Sequence, residues 1–446
     1  MPRILLTNRF YLGGGSRHLR GLPPTGLLRR AAAAGGSARG RFAVWTGSWA
    51  ARLSRRLGIG EGSIIGGRIT LALDPAALRK LAAGKRVILV SGTNGKTTTS
   101  HLLAAALRTS GRVAHNATGS NMADGAVAAL AADPTAPYAV LEVDELHVAA
   151  VAEAVEPEVI VLLNLSRDQL DRGTEVRAVA AALSAALIRN PSTTVVANTD
   201  DPMVVWAASQ ACETVWVAAG SDWKGDTCSC PRCGEVLDTR TQRWRCRCGL
   251  SHPAPQWHAE GSNPPVAVSS GRARVPITLR LPGGFNVGNA TVALAAAAVL
   301  GIDPAVAGAA FHGVETVGGR YASLQHGEHR LRLLLAKNPA GWTQTLPLLD
   351  PASPLLLVVN AREADGRDTS WLWDVPFERL TRADVPPNVV ASGERAADLG
   401  LRLDYARVAH TTVLDPFAAL TLLPSGPVDV VANYTAFLAL SRRIGR

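Results

Sequence analysis

The run Gly92-Thr93-Asn94-Gly95-Lys96-Thr97-Thr98 has the composition needed to hold phosphate. Its two glycines let backbone N–H groups close around phosphate oxygens, and a helix starting at the lysine adds the positive end of its dipole. In such a loop Lys96 reaches the β/γ-phosphates and the Thr97 hydroxyl binds Mg²⁺. The commoner loop begins with a glycine where Val90 stands, so this is a shorter G-x-x-G-K-T form. Lysine is scarce: it occurs only at positions 80, 85, 96, 224 and 337 in a chain with 46 Lys and Arg together. Under such an arginine bias, the places that keep lysine are informative.

Acids follow in Leu141-Glu142-Val-Asp144-Glu145. A carboxylate closing a parallel strand beside a phosphate loop is well placed to ligate Mg²⁺, and Glu142 is the first candidate. Further polar tails are Asn164-Leu-Ser-Arg-Asp168-Gln169-Leu-Asp171 and Asn198-Thr-Asp200-Asp201-Pro202. Asn286 and Asn289, three apart at the start of an Ala-rich helix, share a face and offer amide groups suited to an adenine edge. Five of the six cysteines fall between 228 and 248. Cys230-Pro-Arg-Cys233-Gly and Cys246-Arg-Cys248-Gly resemble the two knuckles of a zinc ribbon, four thiolates for a tetrahedral Zn²⁺. The second knuckle is one residue short, which keeps Cys228 as a possible substitute ligand.

The elements that must position these groups alternate. Apolar strand runs are predicted at 86–91, 138–143, 159–164 and 193–197, separated by Ala-rich helical segments, and this reads as an α/β fold with a mostly parallel sheet. Residues 222–256, rich in Cys, Gly, Pro and Trp, interrupt the rhythm as a zinc-ribbon insert. A second α/β unit of Rossmann type follows, with strands at 331–335, 355–360, 389–392 and 428–432. The predicted organisation is a basic flexible extension over 1–40, a P-loop-type central ATP-binding domain over 41–318, and a C-terminal domain over 319–446. No fixed-period repeat is present.

Apolar residues make up 47% and charged residues 18%, which excludes a disordered or fibrous chain. The longest aliphatic stretch, 290–302, is too short to span a bilayer. The formal charge of +10 is concentrated at the front: residues 1–60 carry eleven Arg and no acid. That arm suits loose contact with an anionic membrane surface better than nucleic acid, because no aromatic stacking platform accompanies it.

Together these motifs resemble the Mur ligases, which phosphorylate a carboxylate with ATP and let an amine attack. The four-Cys insert and Asp365-Gly-Arg-Asp368-Thr-Ser-Trp-Leu-Trp-Asp374 resemble more specifically the MurT branch, the ligase-like subunits of lipid II isoglutaminyl synthase. The resemblance runs in order over 41–446. It implies ATP, Mg²⁺ and Zn²⁺ as cofactors, with Lys96, Thr97 and Glu142 at the phosphates and metal and Asn286 and Asn289 at adenine. It also implies that Arg320 and Lys337 reach ATP from the C-terminal domain. The implied reaction is amidation of the α-carboxyl of D-glutamate in lipid II, at the inner face of the cytoplasmic membrane in peptidoglycan synthesis. Ammonia would come from a GatD-like glutaminase partner. An Asp of the C-terminal domain, Asp368 before Asp365, would complete that partner's Cys–His pair. Asp374 looks like a helix cap, and Cys212 has no nucleophile-elbow signature.

The chain also departs from the family. Gln169 stands where a metal-binding His is usual, no Lys lies between 96 and 224 to be carbamylated, and Leu335 replaces an Asp. A copied two-metal site is therefore not expected. Nor is a nucleotide-sugar-binding N-terminal domain, since fewer than fifty ordered residues precede the central domain. Two other readings stay open: a Mur- or folylpolyglutamate-type ligase adding an amino acid, and a zinc-ribbon nucleic-acid-binding NTPase.

Overall fold

The computed structural model describes residues 38–57, 62–117, 119–167, 175–220, 228–241, 243–261, 264–271, 273–315, 320–382 and 388–444. Among them the chain forms two sheets. The first contains β1 (Arg86–Ser91), β2 (Val113–His115), β3 (Tyr138–Glu142), β4 (Val159–Leu162), β5 (Thr194–Asn198), β6 (Glu213–Ala218), β7 (Trp257–Glu260), β8 (Val266–Ser269) and β9 (Arg274–Pro276). Their order is β2-β3-β1-β4-β5-β6-β7-β8-β9. Pairing is parallel from β2 through β7 and antiparallel from there to β9.

The uninterrupted apolar run of β1 is explained by burial on both faces. Val87 and Leu89 join one core, with helices Ala123–Ala132, Val148–Val155 and Val176–Arg189. Ile88 and Val90 join the other, with helices Lys96–Arg108 and Gly284–Val299. Removing one such side chain, as in Leu89→Ala, costs about 2–5 kcal/mol in cores of this kind.

The second sheet holds β10 (Tyr321–His326), β11 (His329–Leu335), β12 (Leu355–Val358), β13 (Val389–Ser392), β14 (His410–Val413) and β15 (Gly426–Ala432), ordered β10-β11-β15-β12-β13-β14. Only the β10–β11 hairpin is antiparallel. The predicted strands fall inside this framework, with ends shifted by one or two residues. The short or half-exposed strands β2, β6, β10 and β14 and the antiparallel trio β7–β9 carry no strong apolar run and were not anticipated.

Four helices begin with the same device, an Asp or Asn followed by Pro: Asp201-Pro202, Asp303-Pro304, Asn338-Pro339 and Asp415-Pro416. In each the side-chain oxygen accepts backbone N–H groups of the first turn. The proline, whose missing N–H would be an orphan there anyway, fixes the helical φ. Two of these caps set site residues in place.

Candidate functional site

The loop after β1 turns on two glycines at positive φ, Gly92 at +135° and Gly95 at +85°. A Cβ on Gly92 would lie 2.9 Å from the Asn164 carbonyl oxygen, and one on Gly95 would lie 2.6 Å from Asn289 Oδ1. Glycine is needed here for conformation and for space at once. The loop is locked to its neighbour, since Asn94 N donates to Asn164 Oδ1 at 2.9 Å and Asn164 Nδ2 donates back to the Asn94 carbonyl at 3.0 Å.

Lys96 starts the following helix and is 3% exposed. Its ammonium pairs with Glu145 Oε2 at 3.0 Å. Burial works to lower its pKa, yet Glu145, Glu142 and Asp144 together hold it above the ordinary lysine value. Burial likewise works to raise the Glu145 pKa, but Lys96 and Lys337 hold that carboxyl down to about 2. Thr93 Oγ1 donates to Glu145 Oε1 at 3.1 Å. Glu145 was missed in the sequence: three acids in Glu142-Val-Asp144-Glu145 compete, and strand-end logic favours the first. The chain bends after β3, so the third meets the lysine.

Glu142 is itself 2% exposed, and its backbone is clamped by Asn116, which accepts from Glu142 N and donates to its carbonyl, both at 2.8 Å. Its Oε2 is buried and has no hydrogen-bond partner among the described residues. An orphaned carboxylate oxygen is a ligand of the kind that Mg²⁺ takes. Asp168, Gln169 and Asp171 lie outside the described residues.

The second sheet closes the site from the other side. Arg320 Nη2 donates to Thr97 Oγ1 at 3.1 Å, and Asn338 Nδ2 donates to Asn94 Oδ1 at 3.2 Å while its own oxygen caps the next helix. Lys337 immediately precedes that cap. The resulting cleft is lined by Asn94, Gly95, Thr98, Asn286, Asn289 and Arg320, with Asp200, Phe285 and Tyr321 among its other walls. Asn289 Nδ2 donates to Asn286 Oδ1 at 3.1 Å, so the two amides are already aligned.

The Asn198–Pro202 tail divides its labour. Asn198 Nδ2 ties to the Leu163 carbonyl at 2.8 Å, and Asp201 caps its helix while accepting from Leu165 N at 2.7 Å. Asp200 alone of the three faces both the cleft and the cysteine insert. It contacts His252 Nε2 at 3.1 Å. The insert is anchored beside it by Trp244 Nε1, which donates to the Thr199 carbonyl at 3.0 Å.

Within the insert, Cys230, Cys233, Cys246 and Cys248 bring their sulfurs within 4.8 Å of one another. Cys228 is not part of that group. Four convergent thiols, one of them (Cys248) drawn down to about 7 by the backbone N–H of Leu250, are compatible with Zn²⁺.

In the C-terminal block, Asp365 is 7% exposed and accepts from the Thr435 N–H at 2.8 Å and from its hydroxyl. Asp368 is exposed; Ser370 N donates to its Oδ1 at 2.7 Å, and that bond lowers its pKa. Asp374, expected as a helix cap, instead ends a short 3₁₀ turn and pairs with Arg167 at 3.1 Å.

The Mur ligase middle domain family matches residues 90–236, and the MurT ligase C-terminal family matches 335–437. A lipid II isoglutaminyl synthase (glutamine-hydrolyzing) subunit MurT from Staphylococcus aureus is 28% identical over 90% of this chain and 98% of its own length. One from Streptococcus pneumoniae is 29% identical over 77% and 82%. A solved pseudomurein peptide ligase type C from Methanothermus fervidus superposes with a TM-score of 0.65 at 20% identity, over 81% of this chain and 78% of that one, so the fold is shared. With a phosphate loop of the matching middle domain at its centre and the matching C-terminal domain closing over it, the chain belongs to the Mur ligase family and its C-terminal domain is of MurT type.

Proposed function

We propose that the chain is the ligase subunit of a lipid II isoglutaminyl synthase, amidating the α-carboxyl of D-glutamate to D-isoglutamine. The observation that carries the reading is the buried Lys96–Glu145 pair at the phosphate loop, roofed by Arg320 and Lys337 from the second sheet. Such a cluster binds a triphosphate and neutralises charge developing on its terminal phosphoryl group. Thr97 and Glu142 would hold Mg²⁺, which supplies further charge neutralisation when bound. A carboxylate oxygen of the substrate attacks the γ-phosphorus and ADP leaves with the bridging oxygen. Ammonia then attacks the acyl carbon, the C–O bond to phosphate breaks, and a proton leaves nitrogen. Lys96, Lys337 and Arg320 serve the first step. Asn286 and Asn289 orient adenine at the far end of the cleft.

The insert belongs to this reading as a structural zinc ribbon, closed by four thiolates with no open position. It braces Asp200 and the cleft wall through His252 and Trp244. The donor of ammonia would be a glutaminase subunit docking at the C-terminal domain. Supporting this, exposed Asp368 lies in the same short segment as Trp373, whose ring meets exposed Tyr405 edge-on at 5.1 Å. Aromatic pairs of this kind anchor protein interfaces.

The test is the chain alone with lipid II, ATP, Mg²⁺ and high ammonium chloride. Mass spectrometry should show conversion of one carboxyl to a carboxamide with matching ADP release, from a preparation carrying about one zinc per chain. A product bearing an added amino acid instead would move the chain to the amino-acid-adding ligases. Absence of any ATP turnover would end the reading.

A further inference from the structure

The helix Ala38–Arg56 has two unlike faces. Gly40, Ala43, Val44, Gly47 and Ser54 are buried. They pack so closely that a Cβ on Gly47 would sit 2.4 Å from the Gly66 carbonyl oxygen of the next helix, Ser63–Leu73. On the opposite side Phe42, Trp49 and Leu53 follow one another at spacings of seven and four, which places them within about 40° of one another around the axis. They are 56%, 54% and 41% exposed, and Leu57 just beyond the helix end is 62% exposed. Trp45 stacks on Phe42 with ring centroids 6.4 Å apart. Ile64 and Ile65, opening the second helix, are 44% and 37% exposed.

Arginines flank this stripe. Arg41 and Arg56 are exposed at its edge, and the chain has no acidic residue before Glu61. A globular protein seldom leaves an indole ring, a phenyl ring and two leucine side chains together along one helix face without a use for them.

We infer that this exposed face of the helix Ala38–Arg56 is a membrane-docking surface whose occupant is an anionic lipid bilayer. Charge selects that occupant. A second copy would set the same acid-free, arginine-flanked stripe against itself, which like charge opposes. A headgroup boundary accepts Phe, Trp and Leu a few ångströms deep and offers phosphates to the arginines beside them. No helix among the described residues is long and apolar enough to cross the membrane, so the contact is planar and reversible. The inference stands apart from the ligase reading, because bilayer contact needs no catalysis.

The experiment is co-sedimentation of the full chain with vesicles of equal parts phosphatidylglycerol and phosphatidylcholine, and with vesicles of phosphatidylcholine alone. Binding to the anionic vesicles should be at least about tenfold tighter and should weaken as salt is raised. The triple variant Phe42→Ser, Trp49→Ser, Leu53→Ser should lose about tenfold or more of that binding. The pair Arg41→Gln, Arg56→Gln should lose a similar factor while leaving the apolar stripe in place. All five side chains are exposed, so melting temperature and ATP turnover on a soluble substrate analogue should stay as in the parent chain. Undiminished binding by both variants would overturn the proposal and move the contact to another part of the chain. Concentration-dependent dimerisation abolished by the triple variant, with no vesicle binding by the parent, would overturn it in favour of a second copy.

Discussion

The two mostly parallel sheets end in edges of similar build and opposite chemistry. At the C-terminal edge of the nine-stranded sheet, charge is buried: Lys96, Glu145 and Glu142 sit within the protein, and Glu142 keeps an oxygen without a partner among the described residues. At the matching edge of the six-stranded sheet the buried groups satisfy one another. Asn360 N donates to Asn433 Oδ1 at 3.0 Å, Asn433 Nδ2 donates back to the Asn360 carbonyl at 2.7 Å, and Asp365 accepts twice from Thr435. At the first edge a buried carboxylate oxygen has no partner among the described residues, whereas at the second the Asn360–Asn433 and Asp365–Thr435 groups hold one another. Shared topology therefore says where a site can be, while the balance of charges and partners says which edge is one.

The most direct way to break this contrast is Lys96→Ala. If the first edge works by holding a fixed cation against the transferring phosphoryl group, ATP-dependent turnover should fall by about a thousandfold or more. The same change leaves Glu145 buried without its 3.0 Å partner. Stability should therefore drop as well, by about 3–5 kcal/mol where a buried pair loses one member. Adding Glu145→Gln separates the two effects: melting temperature should recover and turnover should not. A double variant that regains turnover would reduce the lysine to a structural ion pair.

The second edge is sharpened by its two aspartates. Asp365→Asn removes an acceptor from a closed network and should cost about 1–3 kcal/mol of stability, lowering glutamine- and ammonium-driven amidation together. Asp368→Asn touches an exposed side chain held by Ser370 within one turn. It should leave melting and the ammonium route intact while the glutamine route, measured with the partner present, falls by about tenfold to a hundredfold. Equal loss by both routes in Asp368→Asn would assign that residue to the ligase site and leave the glutaminase without its third member.

Much of the first edge was legible because its signals are local. Gly92, Gly95 and Lys96 announce a loop by spacing, the strand before them by an apolar run, and the four cysteines by their two knuckles. Other features were hidden for identifiable reasons. Glu145 depends on how the chain bends after β3, which no periodicity reports. Asp200 and Asp201 are neighbours of one residue type that both line the cleft, but Asp201 also caps a helix while Asp200 also faces the cysteine insert, and only the third dimension separates these roles. Asp374 reads as a cap because an Asp before Val-Pro often is one, but its partner Arg167 is far away in sequence. The antiparallel trio β7–β9 lacks the double-sided burial that makes parallel strands conspicuous.

A smaller effect probes whether the first edge holds buried titratable groups away from the ligand as well. His115, ending β2, lies behind the loop: its Nε2 is 3.1 Å from Ser100 Oγ and its ring meets His101 edge-on at 4.7 Å. Its Nδ1 is buried with no partner among the described residues. Burial, with lesser contributions from His101 and Arg108, pushes its pKa down to about 3, and burial lowers that of His101 too. The depressed values fix the sign. Between the ordinary value near 6.5 and the folded value, the unfolded chain binds a proton that the folded chain refuses. Stability should thus be flat above about pH 6.5 and decline below it, by up to about 1.4 kcal/mol per pH unit for each such group. Glu145 does not interfere, because its depressed carboxyl weakens the fold only as pH falls from its ordinary value of 4.5 toward about 2. Urea midpoints measured from neutrality down to about pH 5 should fall for the parent chain, while His115→Gln, which keeps a polar side chain without a titrating ring, should remove a large part of the slope. An unchanged slope in that variant would mean that His115 takes its proton in the folded protein, with Nδ1 finding an acceptor there.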